Sequence, residues 1–192
     1  IEKQRNLGLP GEALKAKTPT MGGIMIILGI LVPCLLFAKL DNIYIQLMLL
    51  TTIWLGLVGF LDDYLKVVKK HSDGLLSRWK FLMQSVAALV LAFYLYFTAT
   101  SPVQLQLFFP FLKNVVIFLG PVFIILTYFI VVGFSNAVNL TDGLDGLAIF
   151  PVVLVSGALA VFIYVTGNIK LAHYLYLPFV PGTGELTVIA AS

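Results

Sequence analysis

The chain has 192 residues, of which 60% are hydrophobic and only 11% charged, against roughly 45–50% and about 25% in soluble domains. With a mean hydropathy of +1.02, this is the composition of a membrane protein. The net charge of +3 does not mark a nucleic-acid surface, because basic residues beside apolar spans are expected for topological reasons, and the single cysteine, Cys34, excludes a disulfide framework and a zinc spacing.

The first residues, "IEKQRNLGLPGEALKAK", are polar and lack the apolar centre of a cleavable signal peptide. Starting at Ile1 and ending where an apolar run has just begun, the sequence reads as an internal fragment of a longer chain. Five stretches are long and apolar enough to cross a bilayer as helices: 21–38, 43–61, 81–98, 115–134 and 147–166, with a sixth starting near Leu186. The predicted fold class is an all-α integral membrane protein, a polytopic transmembrane helix bundle forming a single membrane domain. Pro33 within the first span is tolerated where neighbouring helices repair the backbone.

The first span is announced by "KAKTPTMGGIM". Thr18 before Pro19 reads as an N-cap followed by proline at the first helical position. The free N–H groups of such a helix start, flanked by Lys15 and Lys17 and opened by Gly22 and Gly23, suit a phosphate. A capped span whose glycines serve helix packing explains the same residues equally well.

The second span ends in "GFLDDYLKVVKK", residues 59–70. If its helix continues, Asp62, Lys66, Lys69 and Lys70 share one face at i, i+4, i+7 and i+8. Lysines alone are satisfied by snorkelling to lipid headgroups. The acidic pair Asp62 and Asp63 is not: carboxylates gain nothing at a helix C-terminus and are costly beside hydrocarbon. A hard cation with oxygen ligands, Mg²⁺, is the natural partner.

The fourth span runs into "SNAVNLTDGLDGLA", residues 135–148, of which 135–146 are read as a loop. Asn136, Asn139, Asp142 and Asp145 step by three, so they converge whether the backbone is α-helical or 3₁₀. Gly133, Gly143 and Gly146 permit close approach or a break. Four amide or carboxyl side chains without a cation exceed what an ordinary polar turn needs.

Nine of the twelve Lys plus Arg lie in the N-terminal tail and in the loop after the second span (Lys3, Arg5, Lys15, Lys17, Lys66, Lys69, Lys70, Arg78, Lys80), leaving Lys39, Lys113 and Lys170 for the opposite side. By the positive-inside rule the first group is cytoplasmic. Parity then returns the 135–146 segment to the cytoplasmic face. Three segments remote in sequence thus deliver an acidic pair, a basic stripe, an Asn/Asp cluster and a phosphate-binding helix start to one membrane surface, where a soluble phosphorylated substrate meets a lipid. The aromatic- and Pro-rich external connections, 98–114 and 167–185, are expected along the interface.

Together, "KTPTMGGIMI", "GFLDDYLKVVKK" with "GLLSRWKFLMQS", and "SNAVNLTDGLDGLAI" resemble the phospho-N-acetylmuramoyl-pentapeptide transferase family, the MraY-type enzymes within the polyprenyl-phosphate N-acetylhexosamine-1-phosphate transferase superfamily. The resemblance covers essentially the whole chain. It implies a Mg²⁺-dependent, multi-pass enzyme of the bacterial inner (cytoplasmic) membrane with its active site on the cytoplasmic face. Such an enzyme moves phospho-MurNAc-pentapeptide from UDP-MurNAc-pentapeptide to undecaprenyl phosphate, releasing UMP and giving lipid I for peptidoglycan synthesis.

Its partners would be those two substrates and the lipid bilayer, with no nucleic acid, and a homodimer is compatible with it. Carried over by residue, the resemblance gives Asp62, Asp63 and Asp142 catalytic roles, with Asp62 as base or lipid-phosphate-facing carboxylate and Asp63 beside the metal. Lys15 and Thr20 fall near the nucleoside, Lys66 and Lys70 on phosphates, and Asn136, Asn139 and Asp145 on the nucleotide-sugar side. Family members carry a further essential Asp and a His-rich loop beyond the matched region, so this chain is expected to hold part of the active site and to be inactive by itself. The alternatives are a related UDP-N-acetylhexosamine transferase using the same lipid and, from another class, a cation-coupled transporter. The transporter needs its carboxylates near the midplane, whereas here they stand at span ends.

Overall fold

The computed structural model describes residues 22–69, 74–109, 115–141 and 147–192. In chain order the elements are α1 (Gly23–Phe37), α2 (Ile43–Val67), α3 (Ser77–Phe97), β1 (Gln106–Phe108), β2 (Val116–Phe118), α4 (Val122–Thr141), α5 (Ile149–Gly167), α6 (Ile169–Tyr174) and α7 (Leu186–Ala191), with single 3₁₀ turns at Pro102–Leu105 and Thr183–Glu185. Four helices, α2 to α5, are long and apolar enough to cross a membrane. At 15 residues, α1 rises only about 22 Å, short of the roughly 30 Å hydrocarbon core. The expected cap at Thr18 lies outside the described residues, and Gly22 stands at the N-cap position of α1 without a side-chain bond.

The length of α2 fixes where its polar end emerges. Asn42 caps it by accepting the Tyr44 N–H at 2.8 Å, and from Ile43 to Leu61 the helix rises about 28 Å, so Asp62 arrives at the hydrocarbon boundary. The helix ends at Val67, and the Val68 and Lys69 N–H groups both fold back onto the Tyr64 carbonyl. Consequently the basic stripe expected through Lys69 stops being helical after Lys66, and Lys70 lies outside the described residues.

The fourth span differs most from expectation. Residues 116–118 are not helix but β2, antiparallel to β1 in the register Gln106↔Phe118, Leu107↔Ile117, Phe108↔Val116. A short apolar run is ambiguous between strand and helix, and the β-branched and aromatic Val116, Ile117 and Phe118 suit the pleated surface. Gly120 at φ +50, followed by Pro121, then restarts the chain as helix, since proline needs no N–H partner in a first turn. Displaced along the sequence, α4 runs on to Thr141 and carries Asn136 and Asn139 in its last turns.

The packing that places these ends is sparse. Residues Cys34, Ile45, Val58, Ala88, Ala92 and Val132 are buried, and the small side chains of α3 let helices approach closely. The most extensive contact among the elements is α3 against α4. Trp54 Nε1 donates to the Met83 carbonyl at 3.0 Å, tying α2 to α3. Outward faces stay apolar and exposed, and α5 buries no residue, as expected for a helix bounded by lipid or further helices. At the opposite end from Asp62, Lys39 pairs with Glu185 at 3.1 Å and Asn42 Nδ2 donates to Gly182 O at 2.7 Å, holding the start of α7 to the start of α2.

Candidate active site

Asp62 is the centre of the site. It is 8% exposed, and its carboxylate is fully engaged. Oδ1 accepts the Leu75 N–H at 2.8 Å, Oδ2 accepts Lys66 Nζ at 3.0 Å, and Lys80 Nζ stands 3.8 Å from the same oxygen. Each contact has a local cause. Lys66 lies one turn along α2 at i+4, where helical geometry brings the side chains together. Leu75, which bonds Asp62, follows Gly74, whose φ of +61 is accessible to glycine at little cost. A Cβ on Gly74 would come within 2.5 Å of both Asp62 Oδ1 and Lys66 Cε.

Gly74→Ala is therefore expected to lower the thermal midpoint of the detergent-purified protein. The left-handed backbone alone costs about 1–2 kcal/mol for a residue with a Cβ, and relief of the clash must displace the Asp62 carboxylate. An unchanged midpoint would show that this turn does not hold Asp62.

Lys80, in the first turn of α3, connects the two polar motifs. Besides facing Asp62, its Nζ donates to Asn139 Oδ1 at 2.9 Å. The acidic end of α2 and the asparagine end of α4 thus meet through one ammonium. Asp62 thus draws two ammoniums, Lys66 and Lys80, to one place. These lysines can exchange a carboxylate partner for phosphate oxygens.

One turn further into the bundle, Gln84 on α3 is 3% exposed and donates through Nε2 to Ser135 Oγ at 3.0 Å. Its Oε1 accepts Asn136 Nδ2 at 2.9 Å, and the same Nδ2 donates to Val132 O at 2.8 Å. Ser85 Oγ and Tyr128 Oη, 3.1 Å apart, extend the polar seam between α3 and α4.

Of the residues singled out in the sequence, the structure brings together Asp62, Lys66 and Asn139 around Lys80, and sets Asn136 beside Gln84 on the same seam. Asp63, half-buried, follows Asp62 about 100° around α2. Lys15, Thr20, Lys70, Asp142 and Asp145 lie outside the described residues. Among the described residues no group of three or more His, Cys, Asp or Glu is placed to hold a metal. Sequence reasoning missed Lys80, counted only as a topological charge, and Gln84. The available signal was a lysine and a carboxamide four residues apart entering an apolar span, where polar side chains are expensive and call for a partner.

Two family models match the chain. The family described as "Glycosyl transferase family 4" matches residues 45–183, which contain every described residue of the site and well over half the chain. "Phospho-N-acetylmuramoyl-pentapeptide-transferase signature 1" matches residues 15–27, the segment leading into α1. Multiple apolar helices, a carboxylate–lysine cluster near the end of one of them, and these two matches converge: the chain belongs to glycosyl transferase family 4, as a membrane phospho-sugar transferase of the type that this signature marks.

Proposed function

We propose that the protein transfers phospho-MurNAc-pentapeptide from UDP-MurNAc-pentapeptide to undecaprenyl phosphate at the cytoplasmic face of the bacterial inner membrane, forming lipid I and UMP. The observation that carries this reading is Lys80 standing between Asp62 and Asn139, because it joins an anion-handling cluster to a carboxamide-bearing helix end at the hydrocarbon boundary. The lopsided distribution of basic residues, nine against three, supports the cytoplasmic side.

In the reaction, a phosphate oxygen of the lipid attacks the β-phosphorus of the nucleotide sugar. A P–O bond to the lipid forms, and the bond from that phosphorus to the bridging oxygen breaks, its electron pair leaving with UMP. Such transfer depends on positioning and charge neutralisation more than on covalent work by the protein. Lys66 and Lys80 hold phosphate oxygens, and their pairing with Asp62 keeps both ammoniums aimed before substrate arrives. Asp62 orients the two lysines toward the phosphates through its contacts with them.

The donor chemistry also fits Mg²⁺. Asp62 and Asp63 are hard oxygen donors at adjacent positions. These carboxylates would hold the ion, which would neutralise charge on the diphosphate.

The test is UMP release by the purified full-length protein that contains this chain, with UDP-MurNAc-pentapeptide, undecaprenyl phosphate and Mg²⁺. Release that needs the lipid and stops on chelation is expected. Equal turnover of UDP-N-acetylglucosamine would move the assignment to the related hexosamine transferases, and no release with either sugar would contradict it.

A further inference from the structure

The polar seam between α3 and α4 contains a carboxamide that the reaction does not touch. Gln84 is 3% exposed and lies on a helix that crosses the membrane, where a buried amide is retained only if its partners are worth its desolvation. Its contacts fix the orientation of Asn136 without ambiguity. Val132 O is a backbone carbonyl and can only accept, so the Asn136 atom 2.8 Å from it is the NH₂. The Gln84 atom 2.9 Å from that same nitrogen must then be the carbonyl oxygen, and the Gln84 NH₂ is left to donate to Ser135 Oγ. Both N–H bonds of Asn136 are consumed inside the bundle. What remains to it is Oδ1, an acceptor.

Asn139, one turn along α4, is sorted the other way. Its Oδ1 accepts from Lys80, so the group it has left is NH₂. Two carboxamides three residues apart are thus presented with opposite polarity, Asn139 as donor and Asn136 as acceptor. Free carboxamides would sample both orientations, because the side-chain amide torsion is broad and two-fold. Lys80 holds one of them, and Gln84 together with the Val132 carbonyl holds the other.

We infer that Gln84 is a positioning residue that turns the Asn136 carboxamide so that its oxygen receives an N–H or O–H donor of the nucleotide sugar, while phosphate oxygens are left to Lys66, Lys80 and Asn139. The inference rests on the transferase reading above and deepens it. It assigns donor recognition to Asn136 and places its control one helix away, on a side chain that contacts no substrate.

The test compares Gln84→Met and Gln84→Glu with wild type in the transfer assay, alongside thermal unfolding in detergent. Methionine has similar length and suits a membrane span, so Gln84→Met is expected to keep or raise the unfolding midpoint. With the amide gone, Asn136 Nδ2 keeps only its bond to the Val132 carbonyl, and KM for UDP-MurNAc-pentapeptide should rise about five- to tenfold, the worth of the one hydrogen bond lost. Turnover and KM for undecaprenyl phosphate should stay at wild type. Gln84→Glu keeps an acceptor toward Asn136 Nδ2 and should return KM for the nucleotide sugar most of the way. Wild-type kinetics in a folded Gln84→Met protein would overturn the inference. So would losses in turnover and both KM values that track a fallen midpoint, the mark of a merely structural clamp. A wild-type protein that transfers nothing from UDP-MurNAc-pentapeptide would instead overturn the transferase reading, and the inference with it.

Discussion

Asp62→Asn is expected to lower kcat by about 10²–10⁴, the range for loss of a positioned proton-transfer or charge-orienting group, while leaving the protein folded. Asparagine matches aspartate in size, and its oxygen can still accept the Leu75 N–H that Oδ1 accepts now. The other end changes character. An NH₂ would replace Oδ2 opposite Lys66 Nζ at 3.0 Å and Lys80 Nζ at 3.8 Å, setting a donor against two ammoniums. Both lysines would swing away from the geometry in which they meet phosphate. If Asp62 acts mainly in the transition state, kcat and kcat/KM fall together; if it only assembles the phosphate site, KM rises and kcat survives. Steady-state kinetics of the variant decide between these, and wild-type values for both parameters would remove Asp62 from the mechanism.

The second large effect is expected at Lys80. Its side chain is 18% exposed, so it is screened less than a surface lysine. Lys80→Met removes a charge from Asp62, leaves Asn139 Oδ1 without the donor it now has, and separates the two polar motifs. A loss of about 10²–10³ in kcat/KM is expected, comparable to removing one preorganised donor from a charge-stabilising site. Lys80→Arg should recover part of this, since charge is kept but a planar fork replaces a point charge. Lys69→Gln is the control. Lys69 is exposed and lies beyond the end of α2, so its loss should change kcat/KM by no more than about twofold, as for exposed charges generally. If Lys69→Gln is as damaging as Lys80→Met, the effect is one of overall basicity and the assigned geometry is contradicted.

The parts of this architecture written in local sequence were legible; the parts that depend on pairing between segments were not. Helix α2 could be anticipated because its apolar run has one reading and its polar terminus follows from bilayer thickness. The Asp62 to Lys66 pair followed from helical spacing alone. The start of α4 was misplaced by seven residues, from 115 to Val122, because residues 116–118 are as apolar in a strand as in a helix and only their pairing with 106–108 decides. Asn136 and Asn139 were noticed but assigned to a loop, whereas α4 carries them as helix.

Lys80 escaped for a different reason. On sequence it belongs to a run of positive charges that topology already explains, and only the packing of α3 against α4 reveals that it bridges Asp62 and Asn139. Gln84 was invisible for the same cause, since its partners Ser135 and Asn136 are 51 and 52 residues away.

The most direct test of the account is the fate of the β-phosphorus of the donor. UDP-MurNAc-pentapeptide labelled with ³²P at the β-position is incubated with the purified protein, undecaprenyl phosphate and Mg²⁺, and label is followed in lipid and aqueous fractions. A phospho-sugar transferase built around Lys66, Lys80 and Asp62 must carry the labelled phosphorus to the lipid with the sugar and leave unlabelled UMP in the water, and the transfer must slow by about 10²–10⁴ in Asp62→Asn. Label retained in released UDP would mean that the sugar moves without its phosphate, and label appearing as free sugar phosphate would mean hydrolysis; either result would contradict the assignment.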